Sequence, residues 1–337
     1  MKKKLISIFQ LAVGIGLLVY LFHGMKDKSD LLAAVKSGLH HWPLLMAAFL
    51  WFGVCLLLCA VRWKLLLDAR GLVMPFRRVV TLLFVGHFFN SFLFGSTGGD
   101  LVKAWYVARE MPSKRAEAVA TVFVDRLVGL LALVILTVVI MVLRLDFFLS
   151  TRETRLALAF ILFMLVGSVT GMLLIFRRNL LERWAFFRRL EARTALGKIL
   201  GRAYATFHLC LNERGLVVKT TVISILNHLW GLVLCFYLGM AMEIPLGFLS
   251  YFTVFPVINA IGALPLTPGG LGTRDGAAKL LLGVLGVPAT RAVPLTLLAY
   301  GTMLCWSLVG GIIYLGFSLR QGTPAAADGA TVEDRNG

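Results

Sequence analysis

The chain has 337 residues, of which 59% are hydrophobic and only 15% are charged. A soluble domain is about one quarter charged, so this chain lacks the polar residues that would cover its surface in water. Its net charge of +17 lies in short connections between apolar runs, which is typical of cytoplasmic loops facing anionic lipid. Composition and charge distribution therefore exclude a soluble domain and a nucleic-acid partner, and they predict a membrane-embedded protein.

Nine apolar segments follow one another along the chain. They are Leu5–Phe22, Pro43–Val61, Val79–Phe94, Ala116–Leu143, Leu156–Phe176, Leu216–Met242, Gly247–Leu264, Gly276–Val287 and Val293–Leu319. A helix needs about 20 apolar residues to cross a bilayer. Backbone groups in lipid must be hydrogen-bonded internally, and the runs are continuous rather than alternating, so helices are expected instead of a β-barrel. The fold class is predicted to be an all-α polytopic membrane protein.

The basic connections set the predicted orientation. The positive-inside rule places Lys2–Lys4, the connection 62–78 and the strongly basic connection 177–219 in the cytoplasm. Counting the runs in order then leaves both ends of Val79–Phe94 in the cytoplasm and both ends of 247–287 outside. We predict six full crossings plus two re-entrant or broken helical elements that enter from opposite faces, or eight spans if each element crosses. Such opposed elements are typical of inverted-repeat transporters.

The chain is predicted to form one integral membrane domain over residues 1–320. Within it, the connection 177–219 mixes basic and apolar residues, which favours an interfacial amphipathic helix over a solvated linker. The tail 321–337 is predicted to be disordered. The run after Lys2–Lys4 lacks a small-x-small cleavage site, so it is interpreted as an uncleaved first span. We expect a multi-pass protein of a bacterial inner membrane with both termini in the cytoplasm.

Two adjacent charges, Asp125 and Arg126, lie inside the apolar run Ala116–Leu143. Arg126 follows the cytoplasmic end of that run by about 15 Å of helix, which places it near the bilayer midplane. A charge at that depth costs roughly 2.5–3.5 kcal/mol on insertion scales. Neighbouring helical residues point about 100° apart, so each charge needs a partner elsewhere. The two residues predict either part of a binding site or a structural salt bridge between helices.

A first glycine-rich segment closes the element Val79–Phe94. Thr97 and Asp100 have the spacing of a capping box, so a new helix is expected to begin there. Paired glycines allow close approach of a backbone or a ligand, and a helix N-terminus suits a phosphate. Taken alone, the segment is better interpreted as a plain capped turn at the membrane surface, and the carboxylate of Asp100 would compete for the same donors. Its candidate binding residues are Gly98, Gly99, Asp100 and Lys103.

A second glycine-rich segment, Pro265–Asp275, interrupts the run 247–287. Proline and glycine at this density stop a helix. Non-helical backbone at membrane depth persists only inside protein or beside a wet cavity. An arginine follows the glycines directly and offers the planar, bidentate donor that matches phosphate. Its candidate binding residues are Gly269, Gly270, Gly272, Arg274 and Asp275.

The remaining polar residues of the apolar runs are weaker candidates. Asn90 and His228 are secondary candidates for the site, and most such side chains make hydrogen bonds between helices. The sequence contains no grouping of histidine, cysteine and glutamate that predicts a metal, and no P-loop motif that predicts ATP. No metal and no cofactor are therefore expected.

Three motifs in order resemble those of a known family. They are Ser96–Asp100 with Lys103, then Asp125–Leu130, then Pro265–Asp275. Together they resemble the transmembrane region of lysylphosphatidylglycerol synthases, a flippase-like domain family, from Leu5 to about Leu319. That family more often has Arg-Glu where this chain has Arg274-Asp275, which keeps the charge. Where this chain has a lysine at position 103, arginine is also common, and a lysine would contact an anion as a point charge.

The resemblance implies a lipid substrate. Full synthases carry an aminoacyl-transferase domain after the membrane region, whereas this chain ends about eighteen residues past its last apolar run. Lysylphosphatidylglycerol synthesis is therefore not expected, and the chain is not expected to be an enzyme. Stand-alone relatives are described as flippase-like, and some are linked to lipid-carrier, glycolipid or hopanoid pathways.

The leading hypothesis is a lipid translocator that binds the anionic headgroup of a phospholipid or polyprenyl-type lipid within its helices. The cations at Lys103, Arg126 and Arg274 would hold the phosphate, and the glycines would let backbone N–H groups approach it. The carboxylates at Asp100, Asp125 and Asp275 would balance the cations of an empty site. One alternative is a non-catalytic scaffold that docks a lipid-modifying enzyme through 177–219. A lipid-group transferase is a further alternative, although no nucleophile–base pair is evident.

Overall fold

A computed structural model describes residues 36–92, 98–176, 205–206, 208–210, 212–264 and 267–322. Helices dominate these residues, and no strand occurs among them. The helices are α1 (Trp42–Ala69), α2 (Phe76–Phe92), α3 (Gly98–Glu110), α4 (Arg115–Leu143), α5 (Leu145–Ser150), α6 (Arg152–Phe176), α7 (Arg214–Ala241), α8 (Phe248–Gly262), α9 (Thr273–Val284) and α10 (Ala289–Gly322). A short 3₁₀ turn, Pro268–Gly270, lies between α8 and α9.

Five helices in the described ranges are long and apolar enough to cross a bilayer, namely α1, α4, α6, α7 and α10. Large apolar side chains such as Leu57, Phe163 and Ile312 point out of the bundle, as lipid-facing residues do. These helices confirm the prediction of an all-α polytopic membrane protein. They correspond to five of the six predicted crossings, and the remaining one, Leu5–Phe22, lies outside the described residues.

The first described helix is longer than its apolar run predicted. Helix α1 continues past Val61 and ends at Ala69, so Arg62 and Lys64 lie in the helix and not in a connection. No glycine or proline interrupts this stretch until Gly71, whose φ of +61° ends the helical geometry. The prediction that the connection begins at residue 62 was therefore wrong, because hydropathy drops at the arginine while the backbone remains helical.

The start of α7 and the end of α10 differ from the predicted boundaries by fewer residues. Helix α7 begins at Arg214, so the last residues of the predicted connection 177–219 belong to a helix. Residues 177–204 lie outside the described part of the chain. Helix α10 extends to Gly322, so the first two residues of the predicted tail 321–337 are helical. The rest of that tail, from residue 323, is likewise outside the description.

Helices α2 and α3 form a hairpin. Arg78, near the start of α2, forms an ion pair with Glu110, the last residue of α3, and one of its hydrogen bonds has an Nε–Oε1 distance of 2.8 Å. The backbones cross where Gly99 lies against the carbonyl of Gly86. Asn90 accepts a hydrogen bond from the Gly99 N–H at 2.8 Å. The connecting residues 93–97, including the proposed capping residue Thr97, lie outside the described residues.

Helices α8 and α9 form a second hairpin. The turn between them has positive φ at Gly269, Gly270 and Gly272, at +61°, +76° and +81°. Only glycine adopts such angles without strain, so the predicted break is confirmed. Gly270 packs directly against the carbonyl of Gly262, which closes the hairpin as the glycine pair closes the first one. Residues 265–266 of this turn are outside the described residues.

The two hairpins open toward opposite ends of the bundle. At one end, Arg70 binds Glu213 at 2.5 Å, and the Lys114 ammonium donates to the Gly71 carbonyl at 3.3 Å. The first hairpin begins and ends there. At the other end, Arg291 donates to the carbonyl of Glu243 at 3.0 Å, which joins the two ends of the second hairpin. The turn of the second hairpin reaches α2, so this turn lies inside the bundle.

Helix α10 packs against both hairpins. Its Gly310 lies on the Phe84 carbonyl of α2. Farther toward its start, Thr296 hydrogen-bonds the Asp275 carboxylate of α9, and Tyr300 covers Gly269. One helix therefore contacts both broken elements.

The glycine contact of the first hairpin leads to a stability prediction. In Gly99→Ala the added Cβ would overlap the backbone of Gly86 and Asn90, and neither backbone can rotate aside. We expect a loss of about 1–3 kcal/mol of stability, as for an overpacked core. The measurement is thermal unfolding of the purified protein in detergent.

Gly167→Ala is the matched control. Gly167 lies within α6, and an added Cβ there meets nothing within 4 Å. This variant should be neutral or more stable by up to about 1 kcal/mol, because alanine is the better helix former. Equal unfolding temperatures for the two variants would contradict the hairpin contact.

Candidate functional site

A cavity of about 310 Å³ lies inside the bundle, bounded mainly by α1, α2, α3, α4 and α7. This volume is at the lower end of the range of small-molecule sites, about 300–1,000 Å³. Its charged lining residues are Arg62, Asp100, Lys103, Asp125 and Arg126. Its uncharged polar lining residues are His87, Asn90, Asn227 and His228. Among the described residues, the cavity therefore has three cations facing two carboxylates.

The Asp125 carboxylate is bound by two cations. Arg62 donates from Nε to Oδ1 at 2.7 Å, and Lys103 donates from Nζ to Oδ2 at 3.5 Å. The side chains of Arg62 and Asp125 are each only 8% exposed. Arg62 also donates to the Ser224 hydroxyl at 2.8 Å. These contacts join α1, α3, α4 and α7 at one point.

Lys103 is held on a second side by an aromatic ring. Its ammonium lies 4.2 Å from the ring centroid of Trp63, which is cation–π geometry. The Trp63 indole N–H donates to Thr121 at 3.2 Å and so fixes the ring. Lys103 lines the cavity, as expected for a site residue, but its charge is already shared between Asp125 and the indole.

Arg126 and Asp100 form the more open pair. The guanidinium Nη1 and the carboxylate Oδ2 are 3.1 Å apart, and the two side chains are 33% and 16% exposed. Asp100 lies in the first turn of α3, where the helix dipole stabilises a carboxylate. The expectation that Asp125 and Arg126 find separate partners is confirmed. Arg126 is the cation of this group that an incoming ligand reaches most readily.

Three smaller residues shape the cavity wall. Gly129 leaves room for the Arg62 guanidinium, because a Cβ there would lie 3.0 Å from Nη1. The ring nitrogen Nε2 of His228 lies 3.0 Å from the Gly129 carbonyl. Asn90, the other secondary candidate, caps the start of α3 through the Gly99 N–H, as described above. Of the first segment's glycines, Gly98 and Gly99 are buried at this helix start.

The second glycine-rich segment lies apart from this cavity. Gly269, Gly270, Gly272, Arg274 and Asp275 are not among the described residues that line it. The nearest lining residue is Ala263, which follows α8 directly. The sequence hypothesis of a single site is therefore corrected to two neighbouring groups of residues.

Asp275 forms no direct ion pair with a described cation. Its Oδ2 accepts from the Gly272 N–H at 2.7 Å, and its Oδ1 accepts from the Thr296 hydroxyl. Both oxygens are thus bound by neutral donors, and the residue serves as the N-terminal cap of α9. Its charge still acts favourably on the adjacent Arg274, so its expected role as a counter-charge stays a prediction.

Arg62 is the functional residue that sequence reasoning missed. Its charge was assigned to a cytoplasmic connection because it ends the apolar run Pro43–Val61. The signal that could have placed it correctly was the uninterrupted helical sequence up to Gly71, together with the prediction that Asp125 needs a distant partner.

The shared carboxylate leads to a second prediction. Asp125→Asn leaves Arg62 and Lys103 without their counter-charge, and breaking a buried ion pair from one side costs about 3–5 kcal/mol. Arg62→Gln should cost less, because Asp125 keeps Lys103 as a partner. Detergent-solubilised variants would be compared by thermal unfolding.

Lys64→Gln is the control, and it lies on α1, the helix that carries Arg62. It removes a more exposed ion pair with Asp68 and should change stability by no more than about 1 kcal/mol. An Asp125→Asn variant as stable as Lys64→Gln would show that the buried network does not hold the helices together.

Comparison with known proteins places the chain in a family. Similar proteins include a UPF0104 membrane protein of Methanothermobacter thermautotrophicus, 27% identical over 82% of this chain and 86% of the relative. Another, from Pyrococcus horikoshii, is 22% identical over 80% of this chain and 86% of the relative. No solved structure matches the chain. The family model of the lysylphosphatidylglycerol synthase transmembrane region matches residues 7–311. The chain therefore belongs to the lysylphosphatidylglycerol synthase transmembrane-region family, as its motifs predicted.

Proposed function

We propose that the protein binds the anionic headgroup of a membrane lipid in the cavity beside Arg126 and moves that lipid across the bilayer. The observation that carries the proposal is the cavity's lining of three cations and two carboxylates inside a bundle of membrane-spanning helices. An excess positive charge is costly at membrane depth. An anionic headgroup would neutralise it.

Arg126 is proposed to make the first contact with the headgroup. It is the most exposed of the paired cavity cations, and arginine binds phosphate oxygens in a bidentate manner. In the empty site the Asp100 carboxylate is paired with the Arg126 guanidinium, so the headgroup would displace this carboxylate. Arg62 and Lys103, held by Asp125, would add positive potential without leaving their partner.

The two hairpins are proposed to be re-entrant elements that enter the membrane from opposite faces. The turn of the second hairpin lies against α2 inside the bundle, as broken elements do in transporters whose substrate site lies at the bilayer midplane. Acyl chains could remain in the lipid, so only the headgroup would need a polar path. The proposed location is a cytoplasmic membrane, with both termini inside and no catalytic step.

Re-entrance can be tested by labelling single cysteines in a cysteine-free chain. Exposed positions Arg77 and Ser113 lie at the two ends of the first hairpin, and Glu243 and Pro288 lie at the two ends of the second. A membrane-impermeant maleimide should label the first two from one face and the last two from the other. Labelling of Arg77→Cys and Ser113→Cys from opposite faces would mean that the first hairpin crosses the membrane.

The headgroup site can be tested by transport. The probe is phosphatidylglycerol with a nitrobenzoxadiazole-tagged acyl chain in proteoliposomes, where dithionite quenches only the outer leaflet. Arg126→Gln should slow translocation at least tenfold, because a hydrogen bond to a charged group is worth about 1.5–3 kcal/mol. Arg77→Gln removes the same charge from an exposed side chain outside the cavity and should leave the rate unchanged. Equal rates for both variants would remove Arg126 from the mechanism.

A further inference from the structure

Arg274 is a partly buried cation that forms no ion pair within the described part of the chain. Its Nε atom is buried and makes no hydrogen bond, and no described carboxylate forms an ion pair with it. The adjacent Asp275 is bound to the Gly272 N–H and to Thr296, as described above. An arginine inside a membrane bundle is normally paired with an acid or with a backbone carbonyl.

The residues around Arg274 allow its side chain to lie close to the neighbouring helix. Its side chain lies against Gly262, where an added Cβ would lie 2.9 Å from Nε. It also lies in the first turn of α9, where the helix dipole favours an anion and where the Asp275 carboxylate accepts from the Gly272 N–H. Tyr300, which covers Gly269, is a further neighbour. Part of the arginine surface remains accessible, so the guanidinium is not sealed off.

The arginine is also close to the cavity. Gly262, which contacts Arg274, is followed by Ala263, which lines the cavity. The two cationic positions are thus separated by the end of α8. They also lie on different elements: Arg126 belongs to α4 and pairs with Asp100 of the first hairpin, whereas Arg274 belongs to the second hairpin.

We infer that Arg274 is a second binding position for a phosphate-type anion, adjacent to the Arg126 cavity but separate from it. Bound there, the anion would form the direct ion pair that no described carboxylate forms with Arg274. The identification of that anion as a lipid headgroup rests on the proposed function, whereas the need of Arg274 for an anion does not. A headgroup would then have two successive cationic positions, one beside each hairpin.

The experiment is native mass spectrometry of the full chain in detergent containing dioleoyl phosphatidylglycerol. Wild type should retain two of these lipids. Arg126→Gln and Arg274→Gln should each retain one, and the double variant none. Arg77→Gln, the charge-matched control, should retain two.

The single variants separate this inference from the proposed function. If Arg274→Gln retains two lipids while Arg126→Gln retains one, the proposed cavity stands and Arg274 holds no lipid; the second position is then overturned unless the phosphate titration below detects free phosphate there. If Arg274→Gln retains one while Arg126→Gln retains two, the second position stands and the proposed cavity fails.

A second arm distinguishes free phosphate from lipid. Inorganic phosphate is titrated into lipid-free protein, and the thermal unfolding temperature is recorded. A rise in wild type and Arg126→Gln that is absent in Arg274→Gln supports the position with free phosphate as its ligand. If Arg274→Gln loses a lipid that wild type retains, and phosphate causes no rise in unfolding temperature, the position binds a lipid headgroup. If Arg274→Gln keeps both the second lipid and the phosphate-induced rise in unfolding temperature, the inference of a second binding position is overturned.

Arg274→Lys covers the case in which the glutamine variant does not fold. Lysine keeps the charge but cannot bind phosphate oxygens in a bidentate manner. The second phosphatidylglycerol should then bind at least threefold more weakly than in wild type, and an unchanged affinity would overturn the inference.

Discussion

The bundle depends on one buried carboxylate. Asp125 accepts from Arg62 and Lys103 at the point where α1, α3 and α4 meet, and Arg62 extends the network to Ser224 on α7. Apolar side chains alone provide little preference between alternative helix pairings in lipid, because lipid tails are equally apolar. A buried network with fixed partners specifies one arrangement, since any other pairing would leave a charge unmatched. The position of the first hairpin follows from it, because Lys103 belongs to that hairpin.

This dependence divides the charged residues into two kinds. Those around Asp125 are tightly paired and hold helices in place, while Arg126 and Asp100 form a looser pair at the cavity surface. Arg274 belongs to neither group, since its own neighbour Asp275 serves as a helix cap. A structural network and an accessible cation thus lie side by side on one helix, at consecutive positions. Because they point about 100° apart on α4, they reach different partners and the two roles can coexist.

Much of this arrangement could be predicted from sequence. Charge distribution located the two hairpins and their opposed directions, and helical geometry required separate partners for Asp125 and Arg126. Arg62 was missed because a hydropathy boundary was taken for a helix end, although helices stop at backbone signals such as Gly71. The separation of Arg274 from the cavity could not be predicted, because motif order along the chain does not give distance in the fold. The role of Asp275 depends on Thr296, a tertiary contact that no local pattern reveals.

The position of α10 has a mechanical consequence. One segment of this helix lies on the first hairpin at Gly310, and another lies on the second hairpin at Thr296 and Tyr300. A tilt of α10 therefore changes both contacts at once. Tightly packed interfaces change between discrete arrangements rather than deforming continuously. Loosening of one hairpin would therefore be transmitted to the other through α10, in addition to the direct contact between α2 and the turn of the second hairpin.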